Sequence, residues 1–275
     1  MNHIHSLMTY IYNAPLVRES MSDREQSNHV KTARTTFRIL EVLKEKNEAT
    51  VTEMTQEFDL SKSSLHNYLS TLEQDGYIVK EGNTYRVGLK LLDLGGHARH
   101  RRRLYEIAKD EVTALAEETG ELTNLLVEEH GKGIYLHRAH GADAVKTDSY
   151  IGQAVYLHNT GLGNAILAHL PRERVNEILD RHGMPASTEN TITERSELFE
   201  TLDKVAEDGY ALDDETRVKG LRCVAVPIIN NNDEVEGAIS VSGPKSRFQD
   251  ERFRETLPER LQNVANIIEL NITYT

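Results

Sequence analysis

The sequence predicts an α+β chain: an N-terminal winged helix-turn-helix, a linker helix, and a C-terminal sheet domain with helices on its faces. Three observations carry this. Two short helical patterns with a tight break between them run straight into a β-hairpin over residues 50–87. Mixed helix and strand runs, rather than a strict βαβ alternation, fill residues 105–275, as in an α+β domain. The charge also divides. Residues 28–104 hold 13 Lys+Arg against 10 Asp+Glu, residues 105–275 hold 17 against 31, and residues 1–27 hold 2 against 3. The expected organisation is a disordered or mis-started extension (1–27), a winged helix-turn-helix (28–88), a linker helix (89–104) and the α+β domain (105–275).

Residues 1–27 show no sustained periodicity, and Met21 is an alternative start. From Val30 a helix is expected, with Ala33, Phe37, Leu40 and Leu43 on one face and Asn47–Ala49 as the following loop. Thr50 with Glu53 three positions on reads as a capping box, and Val51, Met54 and Phe58 recur at helical spacing. Ser61 caps the next helix. Leu65, Leu69 and Leu72 form its buried stripe, and Gly76 ends it in a left-handed conformation. Tyr77–Val79 and Tyr85–Val87, joined by Glu81-Gly82-Asn83, make the wing.

The second helix turns Lys62, Ser63, Ser64, His66, Asn67 and Ser70 away from the leucines. Ser and Asn read base edges or phosphates, and Lys62 neutralises a phosphate. With Lys80 on the wing, these are the candidate DNA contacts. Capping and leucine spacing alone would fit any helical hairpin. The hairpin that follows directly is what makes the unit a winged helix, whose second helix enters the major groove.

Beyond the wing, Leu89, Leu91, Leu92 and Leu94 open an apolar segment interrupted by Gly95-Gly96. The run His97–Arg103 then fits either phosphate contact or the solvated face of a linker helix. His97 and His100 have a metal spacing but no acidic or cysteine partner nearby, so no metal is expected. Further on, helices are expected over Tyr105–Glu118, Asn159–Leu170, Arg172–His182, Thr193–Asp208 and Gln249–Ile272. Strands are expected over Leu122–Glu128, Ile134–Arg138, Val145–Tyr150, Tyr210–Asp213, Cys223–Ile229 and Val235–Ser242, with Gly131-Lys132-Gly133 as a turn.

The composition bounds the rest. The chain has 275 residues, 38% of them hydrophobic, and no apolar run long enough to cross a bilayer. Its N-terminus lacks the basic segment and apolar core of a signal peptide. One cysteine excludes an internal disulfide and suits a reducing cytoplasm. The net charge of -12 falls on the C-terminal part, so the winged helix is left net basic, as phosphate contact requires. So acidic a surface, with no tryptophan, suggests a salt-adapted host.

The chain resembles the IclR-type transcriptional regulators. The resemblance covers about residues 30–272 and is carried by VKTARTTFRILEVL (30–43), DLSKSSLHNYLSTLEQDGYI (59–78), LHNTGLGNAILA (157–168), GYALDDETRVKGLRCVAVPI (209–228) and AISVSGP (238–244), in the family's order and spacing. With its acidic composition, the chain is similar to a haloarchaeal member. The resemblance implies a winged helix, a linker helix and a GAF-like effector domain in homodimers or dimers of dimers. Such proteins bind palindromic double-stranded operator DNA and sense a small organic effector: a carboxylate, a sugar or an aromatic acid. No cofactor is implied.

By the same resemblance Gly161, Leu162, Asp213, Cys223, Ser240 and Ser242 occupy effector-contact positions. Their chemistry fits. The Thr160–Asn164 run opens a helix whose N–H groups face an anion, and Ser240 and Ser242 share one side of a strand. Asp213 accepts a ligand hydroxyl or binds through its protonated form, and Cys223 walls the pocket as a small apolar group. One departure matters. The family often has lysine at Asn164, and losing that charge makes a sugar or other polyol more plausible than a simple anion. Two other functions fit parts of the chain. One is an enzyme with Cys223 as nucleophile, for which no histidine partner is legible. The other is a sensor that binds no DNA.

Overall fold

The computed structural model describes residues 30–274. The expected N-terminal extension and the alternative start at Met21 lie outside the described residues. The chain divides into two compact units, one ending at His97 and one beginning at Ala98.

In the first unit, α1 (Lys31–Lys46) leads to a short strand β1 (Ala49–Thr50), then α2 (Val51–Thr55) and α3 (Lys62–Gln74). The wing is β2 (Ile78–Glu81) and β3 (Thr84–Val87). The Thr50–Glu53 capping box is present in both directions: Glu53 N donates to Thr50 Oγ1 at 3.2 Å, and Thr50 N donates to Glu53 Oε2 at 2.7 Å. Ser61 Oγ accepts from Ser64 N at 3.1 Å. Gly76, at φ 79°, closes α3: its N–H reaches Glu73 O at 3.0 Å, and Tyr77 N reaches Leu72 O at 2.8 Å. These two bonds satisfy carbonyls that the helix end would otherwise leave bare. In the wing, Glu81 pairs with Thr84 across a two-residue turn that starts with Gly82 at φ 62°, the backbone that suits a tight hairpin.

Leu65, Leu69 and Leu72 pack with Ile39, Leu43, Met54, Ile78 and Tyr85. On α1 the expected face is only partly right. Leu40 and Leu43 turn inward, but Ile39 and Val42 complete the buried side while Phe37 is 66% exposed. Two apolar stripes share Leu43 on this helix, and periodicity alone does not choose between them. The loop after α1 also holds β1, which adds a third strand to the wing through Ala49↔Tyr85 and Thr50↔Thr84. The helix α4 (Lys90–His100) runs unbroken through Gly95-Gly96 and buries no residue. The chain breaks at Arg101-Arg102 instead.

The second unit starts with α5 (Arg103–Thr119), closed by Gly120 at φ 74°. Six antiparallel strands follow: β4 (Leu122–Glu129), β5 (Lys132–His140), β6 (Ala154–Val155), β7 (Ala211–Asp214), β8 (Leu221–Ile229) and β9 (Val235–Pro244). Their order is β6-β5-β4-β9-β8-β7, with β4 and β9 at the centre. Between β5 and β7 run α6 (Gly161–Leu167), α7 (Arg172–His182) and α8 (Arg195–Asp208). The chain closes with α9 (Leu257–Tyr274).

Strand alternation gives the sheet two apolar faces. Leu125, Val127, Val224, Val226, Ile239 and Val241 pack with residues of α5 and α9. Leu126, Tyr135, Ala225 and Ala238 pack with residues of α6, α7 and α8.

Four expectations fail locally. Val145–Tyr150 is not a strand: residues 141–153 are irregular, and the short strand β6 pairs with Gly133 and Ile134 instead. The side chains of Thr147 and Ser149 bond to arginines, which takes the place of a backbone ladder there. The β4–β5 turn is His130-Gly131, both at positive φ, rather than 131–133. Helix α8 starts at Arg195 rather than Thr193, after Glu194 and with no side-chain cap. Arg195 reaches Asn176 and Asp180 on α7. Finally, the expected long closing helix is split, with a π-helical turn over Arg252–Thr256 before α9. Pro258 has no N–H for the carbonyl of Arg254, and the Tyr210 hydroxyl donates to that carbonyl at 3.4 Å.

Candidate DNA-binding and effector sites

The leucine stripe of α3 fixes what the helix shows outside. Lys62, Ser63, His66, Asn67 and Ser70 are exposed, and at ~100° per residue they span an arc of roughly 140°. Ser64 stands apart. Its hydroxyl lies 2.9 Å from Ser61 Oγ and is half-buried at the cap. Lys80 is exposed on β2, 5.5 Å from the centre of the Tyr85 ring. Arg86 opposes Val79 and is held by Glu81, Nε to Oε1 at 2.9 Å.

The arginines of the His97–Arg103 run are largely engaged within the second unit. Arg99 lies over the Tyr105 ring at 4.6 Å, Arg102 pairs with Glu129, and Arg103 donates to Ile272 O at 2.6 Å. Of the two readings of that run, these contacts speak against a bare phosphate stripe. Among the described residues no group of three or more His, Cys, Asp or Glu is placed to hold a metal.

The effector candidates come together on the sheet face under α6. Asp213 on β7 opposes Cys223 on β8, which opposes Ser242 on β9. One step along, Ser240 opposes Asn124 on β4, which opposes Arg138 on β5. Asn124 Nδ2 donates to Ser240 Oγ at 3.2 Å, and Arg138 Nε donates to Asn124 Oδ1 at 2.9 Å. Asp213, Cys223, Ser240, Ser242 and Asn124 are all buried. They form a polar floor inside an otherwise apolar face.

All seven residues of α6 are buried, which explains its glycines. A Cβ on Gly161 would sit 3.3 Å from Asp213 Cβ and 3.4 Å from Cys223 Sγ, and one on Gly163 would lie 2.0 Å from the Leu157 carbonyl oxygen. Leu162 belongs to the apolar cluster with Tyr135 and Ala225.

At the start of α6, two of the N–H groups expected to face an anion are engaged within the protein. Gly161 N donates to Asp213 Oδ2 at 3.3 Å, and Gly163 N donates to Thr160 Oγ1 at 3.0 Å. Side chains of the protein thus satisfy two donors of this buried helix start.

Burial pushes the Asp213 carboxyl up, against hydrogen bonds from Thr216 and Gly161 that hold it down. Burial, with the Asp213 charge second, pushes the Cys223 thiol up to about 12. Such a thiol stays protonated near neutrality. Arg222 gives it no field, because its guanidinium pairs with Asp214 at 2.7 Å and donates to Phe248 O on the other side of the strand. Sequence reasoning missed Asn124, Arg138, Tyr135 and Arg217. The available signal was an arginine and an asparagine at inward register positions of the first two strands.

An exposed polar recognition helix with a wing, and a separate domain with an enclosed polar floor, define a DNA-binding transcriptional regulator with an effector domain. Comparison with known proteins gives the family. The IclR helix-turn-helix domain matches residues 33–82, and the bacterial transcriptional regulator IclR C-terminal domain matches residues 96–270. The chain belongs to the IclR family.

It is 32% identical to a probable HTH-type regulator, ArcR, of Halobacterium salinarum, over 85% of this chain and 90% of that one. It is 34% identical to the KdgR regulator of Escherichia coli, over 84% and 89%. Among solved structures, the IclR of Thermotoga maritima superposes with a TM-score of 0.73 at 29% identity, covering 90% of this chain and 100% of that one. An IclR homolog from Microbacterium hydrocarbonoxydans, complexed with 4-hydroxybenzoate, shares the fold with a TM-score of 0.70 at 23% identity, covering 82% and 91%.

Proposed function

We propose that the protein is a homodimeric switch, alone or as a dimer of dimers, that reads double-stranded operator DNA through α3 and the wing. Lys62, Ser63, His66, Asn67 and Ser70 meet the major groove, Lys80 meets a phosphate, and Ser64 acts mainly by holding the helix start. A small organic effector (a carboxylate, a sugar or an aromatic acid) meets Gly161, Asp213, Cys223, Ser240 and Ser242, with Leu162 as apolar backing. The observation that carries this reading is the pairing of an exposed polar helix in one unit with a buried polar floor in the other. The 4-hydroxybenzoate bound by the Microbacterium homolog supports a ligand in this fold.

The dimer is supported by an apolar groove of about 600 Å³ in the first unit, lined by Phe37, Leu40, Tyr68, Tyr77, Leu91 and Leu94. Leu89 and Leu92 beside it are 79% and 70% exposed. A second copy that covers these side chains removes a large apolar patch from water. Two recognition helices then stand about one turn of DNA apart, ~34 Å. The effector acts through its difference in affinity between two placements of those helices.

No helix among the described residues is long and apolar enough to cross a membrane, and the protein is proposed to act in the cytoplasm. The acidic C-terminal part is proposed as an adaptation to salt, so the melting temperature rises towards molar KCl. Full stability in dilute buffer would refute that adaptation. Fluorescence anisotropy of the protein with promoter fragments tests the regulator reading. Sequence-specific binding is expected, and its absence at low salt would leave a sensor that binds no DNA.

A further inference from the structure

The effector floor ends in two arginines that the sequence reading did not include. Arg138 stands on β5 at the end of the row Ser240–Asn124–Arg138. Arg217 comes from the segment between β7 and β8. Both reach the same irregular loop: Arg138 Nη2 donates to Thr147 Oγ1 at 2.7 Å, and Arg217 Nη1 donates to Ser149 Oγ at 2.9 Å. Ser149 is buried, and both arginines are partly buried.

Neither guanidinium has a carboxylate oxygen within 4.0 Å among the described residues. Arg172, Arg174, Arg195, Arg222 and Arg247, by contrast, each pair with an acid. Arg138 uses two of its donors on Asn124 and Thr147, and Arg217 uses one on Ser149. A guanidinium carries five. Two like charges drawn onto one loop, partly out of water and offset only by the more distant Asp148 and Asp213 carboxylates, are costly by themselves. A bound anion removes that cost, and a carboxylate matches the fork of a guanidinium.

We propose that Arg138 and Arg217 form the acid-reading end of the effector site and select a small organic carboxylate over neutral sugars. This rests on the effector site proposed above and narrows it. The positive charge absent at Asn164 is supplied from β5 and the β7–β8 segment. Tyr135, beside Arg138 with the guanidinium 5.5 Å from its ring centre, gives that end an aromatic wall. Burial keeps its phenol protonated, so it also offers a donor. For Arg138, burial first and the Arg217 charge pull its pKa down, against the Tyr135 and Asp148 charges that raise it. Ser240, Ser242 and Asp213 of the polar floor meet the hydroxyl or carbonyl groups of the same molecule.

The test uses the full-length protein at fixed ionic strength, with calorimetry and thermal shift. Acetate, lactate, succinate, benzoate and 4-hydroxybenzoate are each compared with the matching amide, and glucose and xylose serve as neutral probes. At least one acid is expected to bind, about ten- to hundredfold tighter than its amide, the range for a hydrogen bond to a charged group. Arg138→Gln and Arg217→Gln each lose that preference, and Arg138→Lys, which keeps the charge without the fork, retains part of it. Arg217→Gln keeps the proposal testable if Arg138→Gln fails to fold.

The proposal is overturned if no acid binds, if acid and amide bind alike, or if both glutamine variants keep the preference. Ser240→Ala separates the two readings. If a sugar binds and Ser240→Ala weakens it while Arg217→Gln does not, the site stands and its acid-reading end is wrong. If ligand binding survives Ser240→Ala unchanged, the site reading itself fails.

Discussion

Helices α3 and α6 start alike and end up in opposite surroundings. Each opens on a hydroxyl cap, with Ser61 and Thr160 accepting from the third N–H at 3.1 and 3.0 Å. On α3 only Leu65, Leu69 and Leu72 are buried, and polar side chains fill the outer arc. On α6 every residue is buried, and two of seven are glycines. The same capping chemistry therefore serves two purposes. One helix is anchored along a single stripe so that its other side is free for a partner. The other is packed on all sides so that a polar floor can be held at fixed distances. What separates them is the side chains after the cap, not the cap.

The largest effect that could break this comparison is at Gly163. A Cβ there would meet the backbone of Leu157 at 2.0 to 2.5 Å, so Gly163→Ala is expected to cost about 4 kcal/mol or more of second-unit stability. Thermal unfolding by circular dichroism should show that transition lowered or lost, and an unchanged melt would mean that α6 is not confined as described. Next in size, Leu69→Ala on the fully buried stripe of α3 should cost about 2–5 kcal/mol of first-unit stability, read from denaturant midpoints.

Function divides along the same line. Asn67→Ala should lose about 1–3 kcal/mol of specific DNA binding, a five- to hundredfold weakening in anisotropy, with effector binding intact. Ser240→Ala should do the reverse, with roughly tenfold weaker effector binding and unchanged DNA binding in the absence of effector. Variants that behave alike would remove the division of labour.

The effect that is smallest at neutral pH, where the thiol is protonated in both states, is that of Cys223. The Cys223 thiol ionises near 9.0 in the unfolded chain and near about 12 in the fold. Over that window the unfolded state releases a proton that the native state holds, so stability falls as pH rises from 9 to 12. Cys223→Ala should flatten this limb in urea titrations at stepped pH. Equal slopes in both proteins would show the thiol to be more open than its burial states.

The first unit was legible almost residue by residue because its signals are local. A cap acts over three residues, a leucine stripe over seven, and a hairpin turn over two. Phe37 marks the limit. Its stripe on α1 is real as a pattern, but the core takes Ile39 and Val42, and only the fold decides between overlapping stripes. The second unit was legible as strands and helices, and the resemblance named four residues that the fold brings together on the floor, with Gly161 and Leu162 on the helix over it. Asn124, Arg138 and Arg217 stayed hidden because their meaning lies in register. Asn124 meets Ser240 across 116 positions of sequence, and Arg217 meets Ser149 across 68. Val145–Tyr150 was misread for a related reason. An alternating run is a strand only where a neighbour pairs with its backbone, and here Thr147 and Ser149 bond to arginine side chains instead.

The tight seating of α6 limits how this architecture can change its preferences. A helix with no exposed residue and with backbone pressed against Gly163 has no room for a larger side chain, so new specificities cannot be written there. The loop of Thr147 and Ser149, and the segment that carries Arg217, have no sheet or helix register to preserve. Insertions and exchanges in those two stretches are where a descendant of this chain would learn a different molecule while keeping the same floor.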